Sequence, residues 1–328
     1  MRESLLKYLC CPECHADLIL APQQTKTIEA EIEWGVLSCE GCSRRYPVTH
    51  GIPRFVPPEL PDTVKKNVNS FGYEWSWLSS VSDKNEVEFR SYLGDVEPDS
   101  FTSRVVLDAG CGMGKFLRLA AQYGAKDVIG IDLADNSVKQ AYANTLGLTN
   151  VHVVQADIFH LPFKSSFNLI YSIGVLHHLI HPEEGFRKLV GLLAPSGLIF
   201  AWVYGFEGNE LFIKFLEPFR RITCHLPLWL NKIATFIIAS FLWILVWTIY
   251  MPLQLLRLRL LPFHDYFVYF SKLGFTFFWG TVFDKAIPTI SNYLHREEFV
   301  SWFRNAKLQE ISVFQRNANS WSGRGIKQ

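Results

Sequence analysis

The sequence predicts an α/β fold: a doubly wound parallel sheet, a small cysteine-bearing domain ahead of it, and a helical apolar insertion late in the chain. Three observations carry that prediction. From Arg104 onward, short apolar runs alternate with amphipathic ones, as strands and helices do in βαβ units. Two C-x-x-C pairs lie near the start. A run of 24 residues, 233–256, holds no charged side chain.

Composition sets the outer limits. A chain of 328 residues has room for two domains, or for one with an appendage. Lys and Arg number 32 against 31 Asp and Glu, a net charge of +1. That balance gives no general pull toward a polyanion, so nucleic acid is not an expected partner. The hydrophobic share of 49% and aromatic share of 15% are high for a soluble enzyme, and the excess is concentrated in the insertion. The opening "MRESLLKYLCCPEC" has no long apolar core of the secretory kind. With paired cysteines suited to metal, this points to a reducing, cytoplasmic compartment.

The first element is the cysteine-bearing segment. Cys11 and Cys14 are separated by 24 residues from Cys39 and Cys42. Each pair fits a tight turn, and the two can converge on one tetrahedral zinc ion. The residues between them alternate in polarity, as short strands do. A segment this small buries too little surface to fold alone, so the metal would supply the missing stability. Together with "SRRYPVTHGIPRFVPPE", the segment resembles the zinc-ribbon family of small partner proteins of tRNA methyltransferases, over about residues 5 to 58. The resemblance implies a structural zinc. Four thiolates leave no open position for catalysis. Residues 1–70 carry eight Lys and Arg against nine Asp and Glu, which favours docking over phosphate binding.

"PRFVPPELPD" reads as a stiff connector. Beyond it, Phe71, Trp75 and Leu78, then Val87, Phe89, Tyr92 and Leu93, recur at helical spacing. Packing on the next domain explains that spacing. The sharper expectation is that Phe71, Tyr73 and Trp75 cover a ligand cleft.

The sheet follows. "RVVLDAG", "DVIGIDL", "VHVVQAD", "FNLIYSIG" and "GLIFAWVYG" read as five strands, with "KFLRLAAQYG" and "NSVKQAYANTLG" as helices between the first three. Asp135 or Asn136 is the expected cap of the second helix. Glycines at 110, 112 and 114 follow the first strand, where backbone must come close to a ligand. Asp132 ends the second strand, where a carboxylate accepts hydrogen bonds from ribose hydroxyls. The triplet is G-x-G-x-G rather than G-x-G-x-x-G, and Asp108 precedes it. A carboxylate there repels a pyrophosphate and suits an amino-acid ammonium, so the expected ligand is an adenosine joined to a zwitterion.

"VVLDAGCGMGKF", "GIDLADNSV", "VQADIFHLPF", "FNLIYSIGVLHHL" and "LLAPSGLIFAWVYG" are similar, in order and spacing, to the motifs of class I S-adenosylmethionine-dependent methyltransferases, above all the quinone-biosynthesis branch acting on small molecules. The resemblance covers roughly residues 100 to 205. It implies a Rossmann-like methyltransferase sheet and S-adenosyl-L-methionine as cofactor. By the same resemblance, Gly110, Gly112 and the Asp108 turn hold the methionine moiety. Asp132 takes the ribose, Leu133 lies beside the adenine, Asp157 bonds the adenine amino group, Ile158 packs on the ring, and Ile173 lies near the methionine end. Asn168 and Ser196 depart from the usual Asp and Gly.

A sulfonium methyl is already activated, so the enzyme aligns a nucleophile and excludes water. A base is needed only for a nucleophile whose proton is hard to remove. His178, and after it His177, are the candidate catalytic residues because they follow the fourth strand, where the acceptor lies. The alternative is that "VLHHL" is a packing feature, with one His capping a turn and the other exposed. Tyr204 borders the same cleft.

Residues 206–290 interrupt the sheet before its closing helix and strands. By length, 233–256 suffices to cross a bilayer. Strands on either side of it must share one sheet, so a single crossing is excluded. Two readings remain: a lid with a fully buried helix, or a peripheral element dipping into the inner face of a membrane. Either puts the acceptor under an apolar roof, which predicts a small, hydrophobic or lipid-linked acceptor. The expected division is 1–58 ribbon, 59–103 linker and cap, 104–205 with 291–328 core, and 206–290 insertion. The alternatives are an rRNA or tRNA methyltransferase that docks RNA on its ribbon, and a non-catalytic cofactor-binding scaffold.

Overall fold

The computed structural model describes residues 1–21, 26–28, 31–78, 84–164 and 167–328. The strands expected between the cysteine pairs and the first cap helix run in part into 22–25, 29–30 and 79–83, which lie outside the described residues.

Among the described residues, twelve strands join in one sheet. The first five are β1 (Leu18–Leu20), β2 (Lys26–Ile28), β3 (Glu31–Cys39), β4 (Arg45–Thr49) and β5 (Ile52–Phe55). The rest are β6 (Val105–Ala109), β7 (Asp127–Asp132), β8 (Val151–Ala156), β9 (Phe167–Ile173), β10 (Leu193–Tyr204), β11 (Gln309–Arg316) and β12 (Ser320–Ile326). Their order is β1-β3-β4-β5-β8-β7-β6-β9-β10-β12-β11, with β2 beside β3. Strands β6 to β10 pair in parallel, and β12 closes antiparallel on β10 and β11. The order reverses between β6 and β9, so the crevice for a ligand opens at the carboxyl ends of those two strands. The apolar runs form the core because β6 is buried on both faces and β7 nearly so.

The cysteine-bearing segment is not a separate bead. Strand β5 pairs in parallel with β8, Arg54 opposite Gln155 and Phe55 opposite Ala156. Tyr8 donates to Asp127 at 2.5 Å and Lys7 pairs with the same carboxylate at 3.0 Å. The expected connector "PRFVPPELPD" therefore begins inside a strand, because Pro53 and Arg54 belong to β5.

Helices cover both faces. They are α1 (Asp62–Trp77), α2 (Lys84–Leu93), α3 (Lys115–Gln122), α4 (Asp135–Asn144), α5 (Pro182–Gly191), α6 (Glu210–Phe215), α7 (Glu217–Thr223), α8 (Leu228–Leu245), α9 (Met251–Leu255), α10 (His264–Leu273), α11 (Phe275–Ala286) and α12 (Arg296–Asn305). Neither Asp135 nor Asn136 caps α4. Ala134 stands at that position without a side-chain bond, and Asp135 pairs instead with Arg54 and Lys139.

In the insertion, α8 runs through a short π-helical turn (Val246–Tyr250) into α9 as one 28-residue helix, Leu228–Leu255, long and apolar enough to cross a membrane. The expectation of a fully buried helix fails. Phe236 and Trp243 pack on Trp279 and Phe278 of α11, while Ile237, Phe241 and Ile244 stay exposed. The roof over the crevice is made by α10 and α11.

Candidate active site

The glycine turn fits backbone that no side chain could share. Gly110 has φ +91°, and a Cβ there would lie 2.1 Å from Val175 Cγ2. Gly114 has φ +81°, and a Cβ there would lie 2.9 Å from Ala141 Cα. Such φ values favour glycine. The turn borders a cavity of about 790 Å³ that runs from the ends of β6–β9 up to the roof.

Of the expected cofactor residues, Gly110, Gly112, Asp132, Leu133, Asp157, Ile158 and Ile173 all line this cavity. Asp132 accepts from the Gly112 amide at 3.0 Å and from the Ala134 amide at 2.8 Å. Burial pushes its carboxyl up to about 6, against those amides, which pull it down. Asp157 is held by the Phe159 amide and by His160 Nδ1 at 3.0 Å. Asp108 is elsewhere. It lies 2% exposed beneath the turn, outside the cavity lining, and burial raises its carboxyl well above the usual range. Beside the glycine turn, the acid that faces the crevice comes from Asp132 and Asp157. The two departures are also explained. Asn168 accepts from the Val105 amide at 3.0 Å, and Ser196 takes φ +58°, a conformation glycine adopts more readily.

One face of α1 closes the crevice. Phe71 and Trp75 line the cavity, Trp75 lies over Gly112, and Phe71 packs on His178 with ring centres 4.9 Å apart. Tyr73 points the other way, onto Phe283.

At the inner end, His178 Nδ1 lies 2.7 Å from the Ile290 carbonyl. A carbonyl only accepts, so Nδ1 carries the proton and Nε2 keeps a lone pair. Burial keeps the ring neutral by lowering its pKa. His177 does not line the cavity. It is fully buried, neither ring nitrogen has a partner, and it packs on Tyr204 at 3.9 Å between ring centres. Tyr204 donates to Asp284 at 2.7 Å. Glu74 and Lys285 also face this end; burial raises the first carboxyl and lowers the second amine to about 8. Sequence reasoning missed Glu74, Asp284 and Lys285. Glu74 shares the helical stripe of Phe71, Trp75 and Leu78, which was the available signal. Asp284 and Lys285 sit in the insertion, where no motif points to them.

The cysteines form a second centre. The sulfurs of Cys11, Cys14, Cys39 and Cys42 all lie within 4.8 Å of one another. Tetrahedral zinc with sulfur at ~2.3 Å needs sulfurs about 3.8 Å apart, so the set fits. Both C-x-x-C turns end alike, with His15 and Ser43 at positive φ and their amides bonded to Cys11 and Cys39 carbonyls. The Gly41 and Cys42 amides donate to Cys39 Sγ, as they would to a thiolate.

Comparisons with known proteins agree with this architecture. Residues 107–201 match the methyltransferase domain family, and residues 2–51 match the Trm112p-like protein family. An uncharacterized chloroplastic methyltransferase of Arabidopsis thaliana is 27% identical over 241 residues, 66% of each chain. The tRNA U34 carboxymethyltransferase of Idiomarina loihiensis is 33% identical over 117 residues, 34% of this chain and 36% of that one. A probable tRNA methyltransferase 9B of Mus musculus is 31% identical over 176 residues, 51% of this chain and 36% of its own. The match thus spans about a third of the two tRNA-named relatives and 66% of the plant protein. A solved complex of the Haloferax volcanii Trm112 methyltransferase activator with a putative methyltransferase aligns with TM-score 0.45 and 14% identity, covering 78% of this chain and 96% of that one.

These relatives overturn three linked expectations. A small or lipid-linked acceptor, peripheral membrane contact through 206–290 and the exclusion of nucleic acid do not stand against relatives named for tRNA. The physical reason is averaging. A net charge of +1 over 328 residues says nothing of a local track, and the apolar insertion was read as acceptor chemistry when its inner helices are a packed aromatic roof.

Proposed function

We propose that this chain, which carries a methyltransferase domain and a Trm112p-like domain, is an S-adenosylmethionine-dependent methyltransferase acting on tRNA. The observation that carries the reading is one continuous cavity, which runs past the glycine turn, Asp132 and Asp157 to the roof of α10 and α11. A cofactor occupies the first part and an acceptor the second. The tRNA-named relatives support the acceptor class. The chain divides, on this reading, into a zinc ribbon at 1–58, a cap at 59–103, a core at 104–205 with 291–328, and an insertion at 206–290, in a cytoplasmic protein.

S-adenosylmethionine supplies a methyl group already activated on sulfur. The chain's residues bind and align. Gly110 and Gly112 let backbone approach the methionine portion. Asp132 accepts from the ribose, Leu133 and Ile158 flank the adenine, and Asp157 accepts from its amino group. Ile173 borders the methionine end. Asp108 supports the turn from beneath. Trp75 and Phe71 exclude water. His178, with Nε2 unprotonated, takes a proton from an acceptor that must lose one, and His177 backs it through packing. The four cysteines hold zinc as a structural ion.

The test is transfer from methyl-labelled S-adenosylmethionine to total tRNA by the purified full chain. We expect nuclease-sensitive label, lowered at least roughly tenfold in His178→Gln. Label that resists nuclease, or none, overturns the tRNA reading.

A further inference from the structure

After α11 the chain returns toward the sheet through residues 287–292, and that return fastens on the turn that carries His178. A short helix leaves its last carbonyls without partners of its own. The helical turn Leu176–His178 is such a case, and distant residues take the carbonyls at its end. The Asn292 amide donates to the His177 carbonyl at 2.8 Å, and Asn292 Nδ2 donates to the His177 and Leu179 carbonyls, each at 3.0 Å. Asn67 Nδ2, from α1, donates to the His178 carbonyl at 3.3 Å. Two asparagines from separate parts of the chain thus hold three successive carbonyls. They belong to one piece, because Asn67 Oδ1 accepts from the Thr289 amide at 3.0 Å. The ring of His178 is held by the same two parts. Its Nδ1 donates to the Ile290 carbonyl at 2.7 Å, and Phe71, one helical turn beyond Asn67, packs on its face. The return loop is anchored from its far side as well: Arg220 donates to the Pro288 carbonyl, and Thr223 to the Ala286 carbonyl at 2.8 Å.

We propose that Asn67 and Asn292 are positioning residues for His178, a clamp that fixes both the place of its backbone and the tautomer of its ring. An imidazole takes a proton at Nε2 only when that nitrogen carries the lone pair, and a fixed acceptor at Nδ1 selects that tautomer. Ile290 supplies the acceptor, and Asn292, two residues on, holds the loop of Ile290 against the histidine turn. A carboxamide takes no proton near neutral pH, so the contribution of both asparagines runs through the histidine. It depends on their side-chain N–H groups. Buried carbonyls left without donors are costly, and a turn that loses them shifts to find others. The clamp also ties the roof to the base, since the loop that bears Ile290 and Asn292 is the continuation of α11. This inference rests on the reading of His178 as the group that takes a proton during methyl transfer to tRNA.

Heteronuclear NMR of the full chain, with labelled histidine and S-adenosylhomocysteine bound, reads the tautomer directly. The signals of His178 are assigned by their loss in His178→Gln. We expect the wild-type ring to carry its proton on Nδ1, and a mixture of both tautomers in Asn292→Ala and in Asn67→Ala. Single-turnover methyl transfer to tRNA gives the second readout. Each asparagine variant should lose at least roughly fivefold in rate while S-adenosylhomocysteine affinity stays within roughly threefold, and Asn292→Ala should cost no further rate once His178→Gln is present, because residues that act as a unit are not additive. A wild-type ring with its proton on Nε2 overturns the inference. So does an unchanged tautomer in both variants, or a loss in the double variant equal to the product of the two single losses. A variant that no longer binds S-adenosylhomocysteine is replaced by Asn292→Asp or Asn67→Asp, which keeps the shape, removes the donors and is judged by the same criteria. Failure of the tRNA reading shows separately, as absence of nuclease-sensitive label from the wild-type chain, and the tautomer measurement then decides the clamp by itself.

Discussion

At the scale of single residues, the crevice depends on carboxyls whose surroundings set their charge. Asp132 is held by two backbone amides, yet burial lifts its carboxyl to about 6. Only the ionised form accepts from both ribose hydroxyls. Above about pH 6 that form dominates in the free protein; below it, binding must first remove a proton. S-adenosylhomocysteine affinity should therefore be level from pH 7 to 8 and fall below pH 6, approaching tenfold per unit. In Asp132→Asn the fall should vanish and affinity at pH 7.5 should drop roughly tenfold or more, as expected for a hydrogen bond to a charged group. Calorimetric titration across pH checks both. Asp108 is the instructive contrast. The sequence set it among the glycines as if it faced the ligand, but strand alternation and the parallel partner strands bury it below the turn. A position in a motif does not reveal which way its side chain points.

At the scale of elements, the strands and glycine turns were legible because each is a local pattern: an apolar run fit for a two-sided parallel strand, and glycines where φ must be positive. The closing helix and strand pair, α12, β11 and β12, follow the same logic. The roof was not legible. Its helices are apolar on several faces, so periodicity does not distinguish the wall facing the cavity from the exposed side of α8. The joint between β5 and β8 was hidden for a different reason. A parallel pair between distant segments leaves no local mark, and the proline-rich stretch reads as linker although Pro53 stands opposite Val48 of β4 and Arg54 opposite Gln155 of β8. That joint makes a prediction. If the four thiolates hold zinc, removing it unravels β3 and β4 and with them the edge that β5 lends to β8. Metal analysis should find one zinc per chain, and chelation should lower Tm by at least roughly 5 °C, equivalent to 1–3 kcal/mol in a protein of this size. Unchanged melting after complete removal of the metal contradicts the structural role.

At the scale of the whole molecule, one sheet carries the cysteine-bearing segment on its β8 edge and opens its ligand crevice at the reversal between β6 and β9. Helix α1 lies across that crevice, and α10 with α11 extends it into a roofed chamber. Everything proposed here depends on what fills the first part of the cavity. Calorimetric titration of the full chain with S-adenosylhomocysteine and, in parallel, with NAD tests this most directly. One S-adenosylhomocysteine should bind per chain with a dissociation constant on the order of micromolar, and NAD should bind at least roughly a hundredfold more weakly. Preference for NAD, or no binding of S-adenosylhomocysteine by the folded protein, contradicts it.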